Sequence, residues 1–209
     1  MKDDSVFKKR VYPVIFMFVI TAVFIAVVSS IHLSTQEMVR LNERLYIREA
    51  VLFAAGIDIP DTPQEITEVY NQRIEEVTGG PAGEEVQYMR ILDSAGNQVT
   101  GYATFVSGAG LWGEIRAVLA FEDDLETIRG VDFIKQNETP GLGARIKENW
   151  FKNQFRGKSL PLTLVAEDTA DEPSEIDQLT GATVTSTAVM DLIQKGTERI
   201  QTLVEEGQQ

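Results

Sequence analysis

The chain has 209 residues, 43% of them hydrophobic, with 19 Lys and Arg against 32 Asp and Glu and a formal net charge of −13. That apolar share excludes a wholly disordered polymer, and the length suits one compact domain plus an appendage or at most two small domains. The acidic balance argues against a nucleic-acid partner, which needs clustered positive charge, and the absence of cysteine excludes disulfides, iron–sulfur clusters, zinc knuckles and thiol nucleophiles.

A single histidine, His32, is too few for most catalytic triads or a His-rich metal site. Hydroxyl, carboxylate, glycine-loop and bound-cofactor chemistry remain. Residues 1–10 sum to +2, and residues 11–31 contain no charge. A run of that length spans the roughly 30 Å hydrocarbon core as a helix. Its basic flank predicts a cytoplasmic N-terminus and an extracytoplasmic remainder, although Arg40, Arg44 and Arg48 weaken the asymmetry. A cleaved signal peptide is the alternative, but its apolar core is normally only about 7–15 residues.

Residues 35–55 read as a second helix, with Met38, Leu41, Leu45, Val51 and Leu52 as an apolar stripe and Gly56 as its stop. Thr62-Pro63-Gln64-Glu65 predicts a capped helix running to about Val77 and ended by Gly79-Gly80-Pro81. From residue 85 the period becomes that of strands. One begins with Val86, Tyr88 and Ile91, and another covers 99–106 after a turn at 94–97. Ile115, Ala117, Leu119 and Phe121 then alternate as a half-buried strand, and 127–134 forms a fourth. A short helix over 144–155, a strand over 161–166, an acidic loop over 167–176 and a long helix over 184–205 complete the chain. The expected fold is α+β: a twisted antiparallel sheet with packed helices, behind one transmembrane helix.

Two glycine motifs mislead. Gly108-Ala-Gly110-Leu-Trp-Gly113 matches G-x-G-x-x-G, but a strand pattern follows it where a dinucleotide site needs a helix. Arg156-Gly157-Lys158-Ser159 imitates the end of a phosphate-binding loop, yet the required earlier glycine falls at Lys152. Two other segments have the character of ligand loops. Glu138-Thr139-Pro140-Gly141-Leu142-Gly143 would present Leu142 between two permissive glycines, or be an ordinary turn before a helix. Asp177-Gln178-Leu179-Thr180-Gly181-Ala182-Thr183 leads into the last helix. There Thr183, Thr185 or Ser186 would be a plain cap or would carry an anion at the helix start.

Together, and behind a single anchor, the two motifs resemble those of the FMN-binding family. That family includes the C subunit of the Na⁺-translocating NADH:quinone reductase (Nqr) and the G subunit of the Rnf ferredoxin:NAD⁺ complex. The likeness covers the layout of the whole chain and residues 86–195 most closely. It implies FMN joined through its phosphate to Thr183, transferred from FAD by a separate Mg²⁺-dependent flavin transferase. Asp177, Thr180, Gly181 and Ala182 would be recognition and positioning residues, with Thr180 standing where the family usually has serine. The resemblance further implies a ring site drawn from Leu111, Trp112, Glu138, Thr139, Gly141, Leu142 and Gly143. Thr185 and Ser186 would lie near the phosphate, and Lys158 would be an electrostatic partner. No catalytic residue or metal ligand is implied.

Trp112 equally reads as a core aromatic, and for Glu138 a simple loop carboxylate is the favoured reading over a ring contact. Gly110-Leu111-Trp112-Gly113 is similar to the quinone-reductase member and residues 151–159 to the Rnf member, so the complex stays open. The expected organisation is a cytoplasmic tail over 1–10, a membrane helix over 11–31, a helical connector over 32–84 and an extracytoplasmic FMN-binding domain over 85–209. The implied role is a single-pass subunit of the plasma (inner) membrane that relays electrons among the other membrane subunits of an Nqr- or Rnf-type ion-translocating complex. The alternative is an anchored extracytoplasmic binding or assembly module without a redox cofactor.

Overall fold

The computed structural model describes residues 10–79 and 85–206. Residues 1–9 of the tail expected over 1–10, and Gly80-Pro81 of the expected helix stop, lie outside the described residues. The chain divides into two compact units, Met1–Arg44 and Leu45–Gln209. Helix α1, Tyr12–Ala54, is continuous for 43 residues, where the sequence suggested two helices. Neither glycine nor proline occurs between Val14 and Ala54, so nothing interrupts the backbone hydrogen bonding. Its apolar part is long and hydrophobic enough to cross a membrane, with a mean hydropathy of 2.8 in its best window.

Helix α1 ends as expected at Gly56, whose φ of +68° is the left-handed conformation that closes a helix. Gly56 N–H donates to Phe53 O (3.1 Å) and Ile57 N–H to Leu52 O (2.9 Å), satisfying two carbonyls of the last turn. Helix α2 is Pro63–Arg73, and Thr62 Oγ1 caps it by accepting Glu65 N–H at 3.3 Å. It stops four residues earlier than expected. Strand β1, Ile74–Gly79, takes over and pairs with β2, Glu85–Leu92. Part of the stretch read as a helical connector therefore belongs to the sheet.

Strands β3 (Val99–Ala109), β4 (Glu114–Glu122), β5 (Thr127–Lys135) and β6 (Lys158–Ser159) complete an antiparallel meander in the order β1-β2-β3-β4-β5-β6. The expected helix over 144–155 is two short pieces: a 3₁₀ turn, Gly143–Lys147, and helix α3, Asn149–Asn153. Strands β7 (Thr163–Val165) and β8 (Glu175–Asp177) form a small parallel pair. Helix α4, Thr183–Glu206, lies against the sheet.

Strand β4 is buried on both faces rather than one. Ile115, Ala117, Leu119 and Phe121 pack with Val189, Leu192, Ile193, Ile200 and Val204 of α4. Val118 and Ala120 point the other way, into a second core with Ala50, Val51 and Leu52 of α1 and Ile66 and Tyr70 of α2. A central strand covered by helices on both sides reads as a nearly continuous apolar run. Arg156 ties the end of α1 to this body, donating to Phe53 O (2.7 Å) and Arg129 O (3.0 Å).

Candidate functional site

Three segments meet at one end of the sheet. The first is the hairpin between β3 and β4, residues 110–113, closed by Gly110 N–H donating to Gly113 O at 2.7 Å. This turn between antiparallel strands has no helix to receive a pyrophosphate, so the dinucleotide reading fails on geometry. The second is the loop after β5, residues 136–143. The third is the start of α4.

Glu138 joins all three. It is only 5% exposed. Its Oε1 accepts Trp112 N–H at 3.1 Å, and its Oε2 accepts the Thr185 hydroxyl at 2.6 Å. The simple loop carboxylate favoured from sequence is therefore a buried junction. Sequence carries no signal for this, because burial arises only when three distant segments assemble.

Leu142, between its two glycines, is partly exposed and lies against the turn at Gly181. Its Cδ2 lies 3.1 Å from where a Cβ on Gly181 would stand. Gly181 has a φ of +77° and Gly141 one of +74°, so both turns favour glycine for conformation. The Leu142 amide donates to Thr139 O at 3.1 Å, closing the turn within the loop. Leu111, Trp112 and Leu142 are 51%, 68% and 42% exposed. At that exposure Trp112 is not a core aromatic.

Thr183 is the first residue of α4, and it is exposed. The first intrahelical bond of the last helix is Ser186 N–H to Ala182 O at 3.0 Å. The amides of Thr183, Val184 and Thr185 thus precede the ladder and form the positive end of the helix. Beside Thr183 is a cavity of about 340 Å³ lined by Ala109, Thr183, Val184, Thr187, Ala188 and Asp191. Sequence reasoning did not name the last four. Their spacing was a usable signal, since Thr183, Thr187 and Asp191 fall four apart on one helix face.

Other expected site residues have structural employment. Ser186 is fully buried, accepting Leu179 N–H (3.0 Å) and donating to Ala182 O (3.1 Å). Asp177 Oδ1 accepts the amides of Thr169 and Ala170, both at 2.9 Å. Gln154 brackets its backbone from the other side, accepting Asp177 N–H at 2.8 Å. Thr180 N–H donates to Glu167 Oε2 at 2.7 Å, and Arg145 holds the other Glu167 oxygen at 2.7 Å. The Arg145 guanidinium, helped by Thr180, holds the Glu167 carboxyl down at about 2. Lys158 donates to Glu172 O at 3.0 Å, a loop-fastening contact. Among the described residues no cluster of His, Asp or Glu is arranged to hold a metal ion.

An FMN group fits these residues: an accessible hydroxyl at a positive helix end, an adjoining cavity, and three exposed apolar side chains from two loops.

Residues 110–198 match the FMN-binding domain family. Over 190 residues the chain is 29% identical to the G subunit of the ion-translocating oxidoreductase complex of Methanosarcina acetivorans, spanning 90% of this chain and 92% of that protein. It is 34% identical over 180 residues to the G subunit of the Na⁺-translocating ferredoxin:NAD⁺ oxidoreductase complex of Acetobacterium woodii, spanning 83% of each. Its fold is shared with a solved C subunit of the Na⁺-translocating NADH-quinone reductase from Parabacteroides distasonis. The TM-score is 0.63 at 24% identity, over 78% of this chain and 94% of that one. The chain belongs to the FMN-binding family of ion-translocating oxidoreductase subunits that includes the G subunit of Rnf-type and the C subunit of Nqr-type complexes.

Proposed function

We propose that this chain is a membrane-anchored flavoprotein with FMN attached as a phosphoester on Thr183, and that it relays electrons within an Rnf- or Nqr-type ion-translocating complex. The observation that carries this reading is the exposed Thr183 hydroxyl. It stands at the first residue of α4, beside a cavity and at the end of the Asp177-x-x-Thr-Gly-Ala-Thr183 motif. In the attachment step a Thr183 Oγ–P bond forms as the pyrophosphate P–O–P linkage of FAD breaks. AMP leaves, and the hydroxyl proton passes to solvent or to the flavin transferase.

When bound, the flavin supplies reversible one- and two-electron chemistry. The chain supplies the rest. Thr183 tethers the group, and the amides at the start of α4 favour the remaining negative charge of the phosphodiester. Leu111, Trp112 and Leu142 exclude water from the ring, while the glycines of 141–143 let the backbone approach closely. A covalent tether suits an extracytoplasmic domain, where a lost cofactor has no pool to replace it. The apolar part of α1 would anchor the domain among the other membrane subunits, with the N-terminus cytoplasmic.

The test is intact mass and in-gel flavin fluorescence on denatured protein from a host expressing the flavin transferase. One added FMN less water is expected, mapped to Thr183. Thr183→Val should give a folded, colourless protein, and Thr183→Ser should keep the flavin. Unmodified mass, with the transferase active on a control substrate, would overturn the reading in favour of a binding or assembly module.

A further inference from the structure

We infer that Glu138 is a positioning residue for the flavin. Its carboxylate locks the hairpin of Leu111 and Trp112, and the loop of Leu142, to the helix start beside Thr183, and its charge lowers the reduction potential of the group held there. This inference rests on the flavin reading above.

Each carboxylate oxygen receives one neutral donor, the Trp112 amide at 3.1 Å and the Thr185 hydroxyl at 2.6 Å. Both carboxylate oxygens are thus hydrogen-bonded, one to each neighbouring segment. Among the described residues Glu138 takes part in no ion pair. A carboxylate that is only 5% exposed is screened little by solvent.

The packing around it explains two glycines of the loops. A Cβ on Gly110 would stand 2.5 Å from Glu138 Oε1. A Cβ on Gly143 would stand 2.8 Å from Oε2 and 2.6 Å from Thr185 Oγ1. Both glycines thus make room for the carboxylate itself. Because Thr185 lies two residues beyond Thr183, the latch fixes both apolar walls relative to the tether.

The geometry alone does not require a charge. A glutamine of the same shape can accept the Trp112 amide with its oxygen and donate to Thr185 Oγ1 with its nitrogen. What glutamine lacks is the negative field, which opposes the addition of electrons to a nearby group. The two variants therefore separate the two parts of the inference.

The experiment uses the full chain in membranes from a flavin-transferase host. Glu138→Gln should retain covalent flavin and show a midpoint potential shifted to more positive values than the parent. Glu138→Ala should retain the flavin with lower fluorescence anisotropy. A flavin-free readout comes from the Thr183→Val background. There, adding Glu138→Ala should speed hydrogen exchange of the Trp112 amide about tenfold or more, as expected on losing a hydrogen bond to a charged group. An unchanged potential in Glu138→Gln would overturn the electrostatic role. Unchanged exchange and anisotropy in the alanine variants would overturn the latch. Should Glu138→Ala fail to fold, Glu138→Gln still decides the charge. A parent protein without flavin would overturn the underlying reading and leave the exchange result standing on its own.

Discussion

The Ser186 hydroxyl sits between two backbone groups, Leu179 N–H and Ala182 O, with no exposure to water. Removing it strands the Leu179 amide in the interior, which costs about 1–3 kcal/mol. Ser186→Ala should therefore lower the denaturant midpoint of unfolding by that free energy while leaving Thr183 accessible to modification. A stability within about 0.5 kcal/mol of the parent would mean that the amide finds another partner. Ser186 was legible in the sequence as a hydroxyl near a helix start, but its role was not. Three hydroxyls within four residues differ only in which helix face they occupy, and packing alone decides that. The same reason separates the exposed Thr183 from the buried Thr185, whose partner Glu138 comes from 47 residues away. Trp112 was ambiguous for a related reason: an aromatic beside glycines fits a core or a ligand wall until its exposure is known.

At the scale of elements, the local motifs were the most legible: the Thr62 cap, the Gly56 stop, the turn over 94–97 and the last helix. Where the sequence misled, tertiary pairing outweighed local pattern. Ile74 and Val77 are spaced like a helix face, yet they enter an edge strand because β2 offers a partner. Helix α4 approaches the sheet closely at Gly196. A Cβ there would stand 2.6 Å from Val106 Cγ1 and 2.9 Å from Leu119 Cδ2. Alanine is the better helix former by about 1 kcal/mol, but overpacking a core costs about 1–3 kcal/mol. Gly196→Ala should thus destabilise the domain despite its propensity, and a raised melting temperature would show that the contact relaxes freely.

The turn bearing Thr180 is held to the 3₁₀ element through Glu167 and Arg145. The Glu167 carboxyl is held near 2 in the fold, against an ordinary value of 4.5. A carboxyl depressed by folding stabilises the fold fully above its unfolded value and loses that contribution as protons bind. The parent should therefore lose stability between pH 4.5 and about 2 by a component absent from Glu167→Gln. Denaturant melts of both proteins across that range would check it, and parallel pH profiles would refute the linkage.

For the whole molecule, membrane topology is an electrostatic question. The segment before the apolar run is net positive, while the residues after it sum to −15. Retention of basic residues on the cytoplasmic side favours an N-in orientation. Arg40, Arg44 and Arg48 oppose it, because they lie within about 20 residues of the end of the run, close enough to count. They are interspersed with Glu37, Glu43 and Glu49, but acids contribute little to the rule, so the charges alone leave the balance close. A parent chain without cysteine makes single-cysteine reporters unambiguous. Lys195→Cys, at an exposed position of α4, should react with a membrane-impermeant maleimide in intact spheroplasts. Ser5→Cys should react only after permeabilisation. The reverse pattern would place Thr183 on the cytoplasmic side, where free FMN can be replaced. It would remove the argument that the tether compensates for the lack of a pool, while leaving the site on α4 unchanged.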